Sequence, residues 1–172
     1  MPETEFQEFV PGPAAERDFR DALGRFATGV TVVTCAGPDG PVGITANSFS
    51  SLSLDPPLVL WAPARASLRF PAFDRAPHFA VHVLGAEQRD LCRAFAQDAG
   101  AFHRLDWRAN PEGVPVFDSC LARFECKKRA AHDGGDHDIH VGEVLRARCR
   151  AGEPLVFFGG GYGGFAGGPP RV

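Results

Sequence analysis

Apolar residues fall at helical spacing twice in this chain. From Glu16 onward, Phe19, Ala22, Leu23, Phe26 and Ala27 recur at i, i+3, i+4, i+7 and i+8, which predicts a first helix closed by Thr28-Gly29. Leu91, Ala94 and Phe95 share one face and predict a second helix over 87–97. Elsewhere the pattern is that of strands. The β-branched run VTVVTCA (30–36), the turn GPDG (37–40) and VGITANSFSSLSL (42–54) read as a hairpin whose second arm is one long strand or a bent pair. After Asp55-Pro56-Pro57, LVLWA (58–62) is a short apolar strand, and 63–74 reads as a loop with a turn or two of helix broken by Pro71. FAVHVL (79–84) alternates, and 98–113 is irregular and polar. LARFECKK (121–128), DIHVGEVLRARCR (138–150) and LVFFG (155–159) close the set, separated by AAHDGGDH and AGEP.

Many short strands with few helices predict a mainly β, α+β fold that closes into a β-barrel rather than a doubly wound sheet. Residues 1–15 hold three prolines and no periodicity, which predicts a flexible N-terminal arm ahead of a single domain over 16–172.

Composition narrows the function. The 172 residues carry 18 Lys+Arg against 21 Asp+Glu, a net charge of −3, with 23% charged and 44% hydrophobic residues. A chain of this size buries roughly 70% of its unfolded surface without needing disulfides or a structural metal. No basic stripe is visible, which argues against a nucleic-acid partner. No run of about 18 apolar residues occurs, and the start MPETEFQEFVPGPAAERD is acidic where a secretory signal is basic, so a cytoplasmic protein without a membrane partner is expected. Cys35, Cys92, Cys120, Cys126 and Cys149 are odd in number and lack a C-x-x-C, and read as buried thiols rather than a disulfide framework or metal site.

The strongest chemical signal is Thr45-Ala46-Asn47-Ser48-Phe49-Ser50-Ser51. In one continuous strand Thr45, Asn47 and Ser51 would face one way and Ser48 and Ser50 the other. With polar groups on both faces, the strand needs a polar object against it: water, a partner chain or an anionic ligand. The run Gly134-Gly135-Asp136-His137-Asp138-Ile139-His140 offers imidazoles and carboxylates together. At a strand entrance His137 and His140 face opposite sides, which disfavours joint ligation of one ion and leaves a solvated turn or a functional histidine. Gly159-Gly160-Gly161-Tyr162-Gly163-Gly164 matches G-x-G-x-x-G, yet no helix and no second strand with an acidic residue follow it, so it is not a dinucleotide fingerprint. Its glycines either admit backbone and Tyr162 close to a flat ligand or form a flexible end. No nucleophile elbow or phosphate-binding loop motif is present.

Taken in order, Phe19-Arg20-x-Ala22-Leu23-Gly24-x-Phe26-Ala27-Thr28-Gly29-Val30-Thr31-Val32-Val33-Thr34 and the run from Gly43-Ile44-Thr45-Ala46-Asn47-Ser48-Phe49 to Asp55-Pro56-Pro57-Leu58 resemble the short-chain flavin reductase family. The likeness continues through Phe79-Ala80-Val81-x-Val83-Leu84, Gln88, Phe95-Ala96, Cys126, Gly135-Asp136-His137, Gly142-Glu143-Val144, Pro154-Leu155 and Gly161-Tyr162, covering about residues 17–165. The resemblance implies a split β-barrel of FMN-binding type with a few peripheral helices. It implies a homodimer that binds FMN or FAD near the subunit interface, reduces it with NADH or NADPH, and supplies reduced flavin to a separate flavin-dependent monooxygenase. Carried over, Thr45, Ala46, Asn47, Ser48, Ser50 and Ser51 would face the flavin, with Ala62, Pro63, Ala64, Arg65, Ser67 and Leu68 completing the cradle. His137, the catalytic candidate, and Tyr162 would line the nicotinamide side. Arg65 would offset flavin phosphate charge. His82 and Trp61 stand where the family often has Asn and a smaller residue. The rival readings are a flavin-binding split-barrel oxidase, betrayed by oxygen-dependent turnover without a partner, and a flavin-storage module, betrayed by tight yellow protein that does not oxidise NAD(P)H.

Overall fold

The structure is a computed structural model and describes residues 6–165. The expectations that reach residues 1–5 and 166–172 lie outside the described residues. Residues 6–12 have no regular structure, and a 3-10 turn at Pro13–Ala15 leads into α1 (Glu16–Leu23). The remaining elements are β1 (Thr28–Gly29), β2 (Thr31–Gly37), β3 (Gly40–Ala46), β4 (Ser50–Leu54), β5 (Pro57–Trp61), α2 (Phe70–Arg75), β6 (His78–Val83), α3 (Arg89–Gln97), β7 (Arg108–Ala109), β8 (Pro115–Val116), β9 (Ala122–Gly134), β10 (His137–Cys149), β11 (Val156–Phe158) and β12 (Gly161–Gly163).

Seven strands form one sheet in the order β3-β2-β6-β9-β10-β5-β4, every pair antiparallel. The edge strands β3 and β4 are consecutive in sequence, joined by Asn47, Ser48 and Phe49 alone. A flat sheet would hold those edges about 29 Å apart, six spacings of about 4.8 Å. The crossing from Ala46 to Ser50 reaches at most about 14 Å. The sheet must therefore curl until its edges nearly meet, and because no ladder joins β3 to β4 among the described residues, the result is a split barrel.

Side chains from six strands meet on the concave side. Val33, Cys35, Val59, Trp61, Phe79, Val81 and Cys126 are buried there with Phe73 of α2, backed by Ile44, Phe49, Phe124 and Val144. A second core lies outside the barrel, where Val30, Val32 and Leu84 meet Cys92 and Phe95 of α3, with Phe102, Phe117 and Leu155. β2 serves both cores, which is why VTVVTCA shows no polar alternation. Its threonines are satisfied internally: Thr34 donates to the Pro115 carbonyl at 2.6 Å and Thr31 to the Ala46 carbonyl at 2.7 Å. Gly43 of β3 faces Phe95, whose ring would lie 2.4 Å from an added Cβ, so α3 packs directly on the bare backbone.

Several expected elements differ. The 42–54 run is two strands, as the bent-pair alternative allowed, but its halves sit at opposite edges of the sheet; the two-faced alternation expected for 45–51 is lost at the crossing. Pro71 does not break a helix: it occupies the first turn of α2, where its missing N–H costs nothing. β9 runs on through residues 129–134, paired with the start of β10, so the turn between them shrinks to Gly135-Asp136, with Gly135 at φ +82°. The polar middle contributes a buried 3-10 turn, Ala101–Arg104, whose Phe102 packs edge-on against Phe95.

His82 and Trp61 are fully buried, far from any polar surface role. His82 stacks on Phe117 at 3.9 Å, its Nδ1–H donates to the Val32 carbonyl at 3.1 Å, and its Nε2 accepts the Phe117 N–H at 3.4 Å. Both nitrogens are committed in the neutral ring, and burial pushes the pKa from 6.5 down to about 3. Below pH 6.5 the unfolded chain takes a proton here that the folded chain refuses until about pH 3. Stability is therefore lost across that window by about 1.4 kcal/mol per pH unit. Burial lowers His140 in the same direction. Urea titrations at fixed pH check this: His82→Gln should lose stability between pH 6 and 4 with a slope smaller than the parent's by about one such increment, and parallel slopes would refute it.

Candidate functional site

The crossing that closes the barrel is also where polar groups are exposed. Ser48 turns inward, accepting the Ala62 N–H at 3.0 Å and donating to the Ala62 carbonyl at 3.2 Å. It stitches the crossing to the end of β5 and so fixes the start of the 62–68 segment. Thr45 donates to the Cys92 carbonyl at 2.7 Å, pinning β3 to α3. Asn47 between them remains exposed.

Beside this seam lies a cavity of about 390 Å³, within the usual range for a small-molecule site. Its walls are apolar, from Val30, Ile44, Ala46, Ala96, Phe157 and Tyr162; its polar groups are Thr45, Asn47, Ser67 and Arg69. A larger recess of about 580 Å³ adjoins it between the β2–β3 turn and α2, sharing Arg69 and including Leu68. The smaller cavity is the better site because amide, hydroxyl and guanidinium converge there on apolar walls.

Arg69 is the cation of this site, and the sequence pattern did not single it out. Its guanidinium donates to the Phe95 carbonyl at 2.9 Å and the Ala96 carbonyl at 3.4 Å, with no carboxylate in hydrogen-bond contact among the described residues. Burial lowers its pKa, opposed by Asp98, although an arginine does not lose its proton in a protein. A half-buried cation held only by carbonyls favours an incoming anion.

Tyr162 reaches the cavity from the β11–β12 hairpin, packed on Phe157 at 5.3 Å. Its phenol is pushed up to about 12 by hydrogen bonding with Cys92 and by burial, so it stays neutral. The Gly-rich tail thus forms a short hairpin, through Gly159 and Gly160 at positive φ, that presents this ring.

The other expected residues divide. Ser50 and Ser51 lie exposed on β4, across the seam, and Ser50 bonds the neighbouring Ser51 carbonyl at 3.1 Å. Ala62, Pro63 and Ala64 run beneath the tip of the β9–β10 hairpin, where Ala64 bridges His137. Arg65 turns its guanidinium to that tip, on Asp133 and Asp138, and away from the cavity. His137 is half-exposed, its Nδ1 2.7 Å from Asp136. His140 is buried against Trp61, on the other face of β10. One of its nitrogens lies within 4.8 Å of Asp74 and Asp138 carboxylate oxygens, but Arg65 holds Asp138, and the Lys128 ammonium donates to the Asp74 carbonyl.

A cofactor with a planar heterocycle, a polyol and a phosphate fits these residues. The apolar walls suit the ring, Asn47 its polar edge, and Ser67 with Arg69 the phosphate.

The flavin reductase like domain matches residues 23–166. The chain is 60% identical over 158 residues to FMN reductase (NADH) SmoA of Agrobacterium fabrum, covering 92% of this chain and 91% of that one. It is 41% identical over 150 residues to HsaB of Rhodococcus jostii, a flavin-dependent monooxygenase reductase subunit, covering 86% of this chain and 77% of that one. It superposes at a TM-score of 0.85, with 39% identity, on the Streptomyces globisporus NADH:FAD oxidoreductase SgcE6 in complex with NAD and FAD fragments, covering 92% of this chain and 98% of that one.

Ser48 serves the fold before any ligand. Ser48→Ala removes both bonds to Ala62 and should cost about 1–2 kcal/mol in urea unfolding of the ligand-free protein. An unchanged midpoint would show that the crossing is held by other contacts.

Proposed function

The chain belongs to the flavin reductase family, and from that premise we propose how its groove accommodates both substrates. It is an NAD(P)H-dependent flavin reductase that reduces FMN or FAD and supplies reduced flavin to a separate flavin-dependent monooxygenase. The observation that carries the placement is the convergence of Asn47, Ser67 and Arg69 on one apolar-walled cavity at the barrel seam. When bound, the flavin supplies a hydride acceptor and the dihydronicotinamide the donor.

The chain's own residues bind and orient. Arg69 and Ser67 hold the flavin phosphate, Asn47 and the backbone of Thr45 and Ala46 meet the ring edge, and Ile44, Phe157 and Tyr162 exclude water. Ser48, Ala62, Pro63 and Ala64 shape this cradle through the backbone they fix, with Leu68 at its rim and Ser50 and Ser51 across the seam. His137 stands on the nicotinamide side, its ring aimed by the Asp136 carboxylate, which that hydrogen bond holds below its ordinary pKa. Neither ring nitrogen needs to take part in covalent chemistry: stacking two planar rings at reactive distance is sufficient.

A homodimer completes the reading. The apolar side chains of α1 and of the turn that follows it are uncovered, with Leu23 58% and Phe26 77% exposed, and β4 leaves Leu54 96% exposed at a sheet edge. Such surface favours a second copy of the chain. The free thiols, four of them buried, suit the reducing cytoplasm.

Arg69→Met should weaken FMN binding about tenfold or more while leaving riboflavin, which lacks the phosphate, within about threefold. Flavin fluorescence titration of both ligands reads this directly, and equal losses for the two would remove the phosphate from Arg69. Sedimentation at micromolar concentration should give a dimer; a monomer would overturn the assembly.

A further inference from the structure

Arg65 binds no part of the cavity, yet it is among the most heavily bonded side chains at this end of the barrel. Its Nε donates to Asp138 at 2.6 Å, its Nη2 to Asp133 at 2.6 Å and its Nη1 to the Gly135 carbonyl at 2.9 Å. Its backbone N–H donates to the Asp136 carbonyl at 2.9 Å, and Asp138 N–H donates to the Pro63 carbonyl at 3.2 Å. One residue of the 62–68 segment thus touches both strands and the turn of the hairpin that carries His137.

The need for it lies in the hairpin's register. Asp133 and Asp138 are directly opposed across β9 and β10. Like charges in that position destabilise a strand pair. The tip, two residues long with Gly135 at positive φ, has no apolar cover of its own. Left alone, this end of the hairpin would splay. The planar guanidinium supplies the positive charge and the forked donors that two carboxylates require.

We propose that Arg65 is the positioning residue for His137: by neutralising the Asp133–Asp138 pair it closes the hairpin tip onto the 62–68 segment and fixes the imidazole over the nicotinamide side. This rests on the placement of His137 given above. Because Ser67 and Arg69 lie on the continuation of the same segment, ordering that segment around a flavin phosphate also orders the tip, so the two substrate sites are mechanically joined through Arg65.

Arg65→Gln, Asp133→Asn, the double variant of the two, and His137→Ala test it. In the flavin-free protein, amide exchange over 133–138 should accelerate about tenfold or more in Arg65→Gln while β2 and β6 keep their protection. In turnover, Arg65→Gln should raise the KM for NADH about tenfold with the FMN Kd within about threefold. Adding Asp133→Asn to Arg65→Gln removes the repulsion and should recover most of both effects, as neither a general loss of packing nor a lost phosphate contact would. Arg65→Gln combined with His137→Ala should be no worse toward NADH than His137→Ala alone. Unchanged exchange at the tip, failure of Asp133→Asn to rescue, or lost FMN affinity at an unchanged KM for NADH would each overturn the proposal. If His137→Ala leaves the KM for NADH unchanged, the placement of His137 fails; the exchange and rescue measurements still decide whether Arg65 holds the tip.

Discussion

The three-residue crossing from β3 to β4 governs this molecule. Because it is too short to join the edges of an open seven-stranded sheet, it forces the curl, and the curl creates both the filled interior and the seam. Trp61, Phe73 and Phe79 are buried in the interior and pack against one another there. At the seam the ladder is missing, so polar backbone and side chains stand free at a place the fold has already fixed. The ligand cavity follows from closing the barrel and needs no separate architecture.

Charge is arranged differently at the two ends of the barrel. Arg123 is 3% exposed and pairs with Glu125 at 2.9 Å and Asp118 at 2.5 Å; Glu125 also accepts from Arg146 and Asn110. Each partner there is saturated, and removing one would leave a buried charge uncompensated. Arg65 is likewise matched by two carboxylates. Arg69 alone of these three has carbonyls where the others have acids. That contrast, rather than the presence of arginines as such, separates a cation that serves structure from one that awaits an anion.

Much of this was legible in the sequence. The hairpin of β2 and β3, the short β5, the alternating β6 and the stripe of α3 follow from periodicity, and the polar run 45–51 coincides with the seam. Its interpretation as one strand fails because residue pattern carries no information on which sheet edge a chain joins next. The extension of β9 through Gly134 was hidden by a composition that reads as a loop; cross-strand pairing with β10 and the bonds to Arg65 override it. Arg69 did leave a signal. It directly precedes Phe70-Pro71, whose proline marks the start of α2, and its guanidinium reaches the last-turn carbonyls of α3 at Phe95 and Ala96, the negative end of that helix. Arg65, by contrast, is given to the flavin phosphate by the family resemblance, and only the hairpin's register shows where its charge is needed.

Gly43 gives the site a control remote from any ligand. The Phe95 ring sits on its bare Cα, and the carbonyls of Phe95 and Ala96 are the ones that carry the Arg69 guanidinium. A side chain at position 43 would lift α3, and the cation would travel with it. The distance across the cavity between Ile44 and the Arg69 guanidinium is therefore set by an absent methyl group one residue along the same strand. The span of the cavity can thus shift through packing in the core, without a single change among the residues that line it.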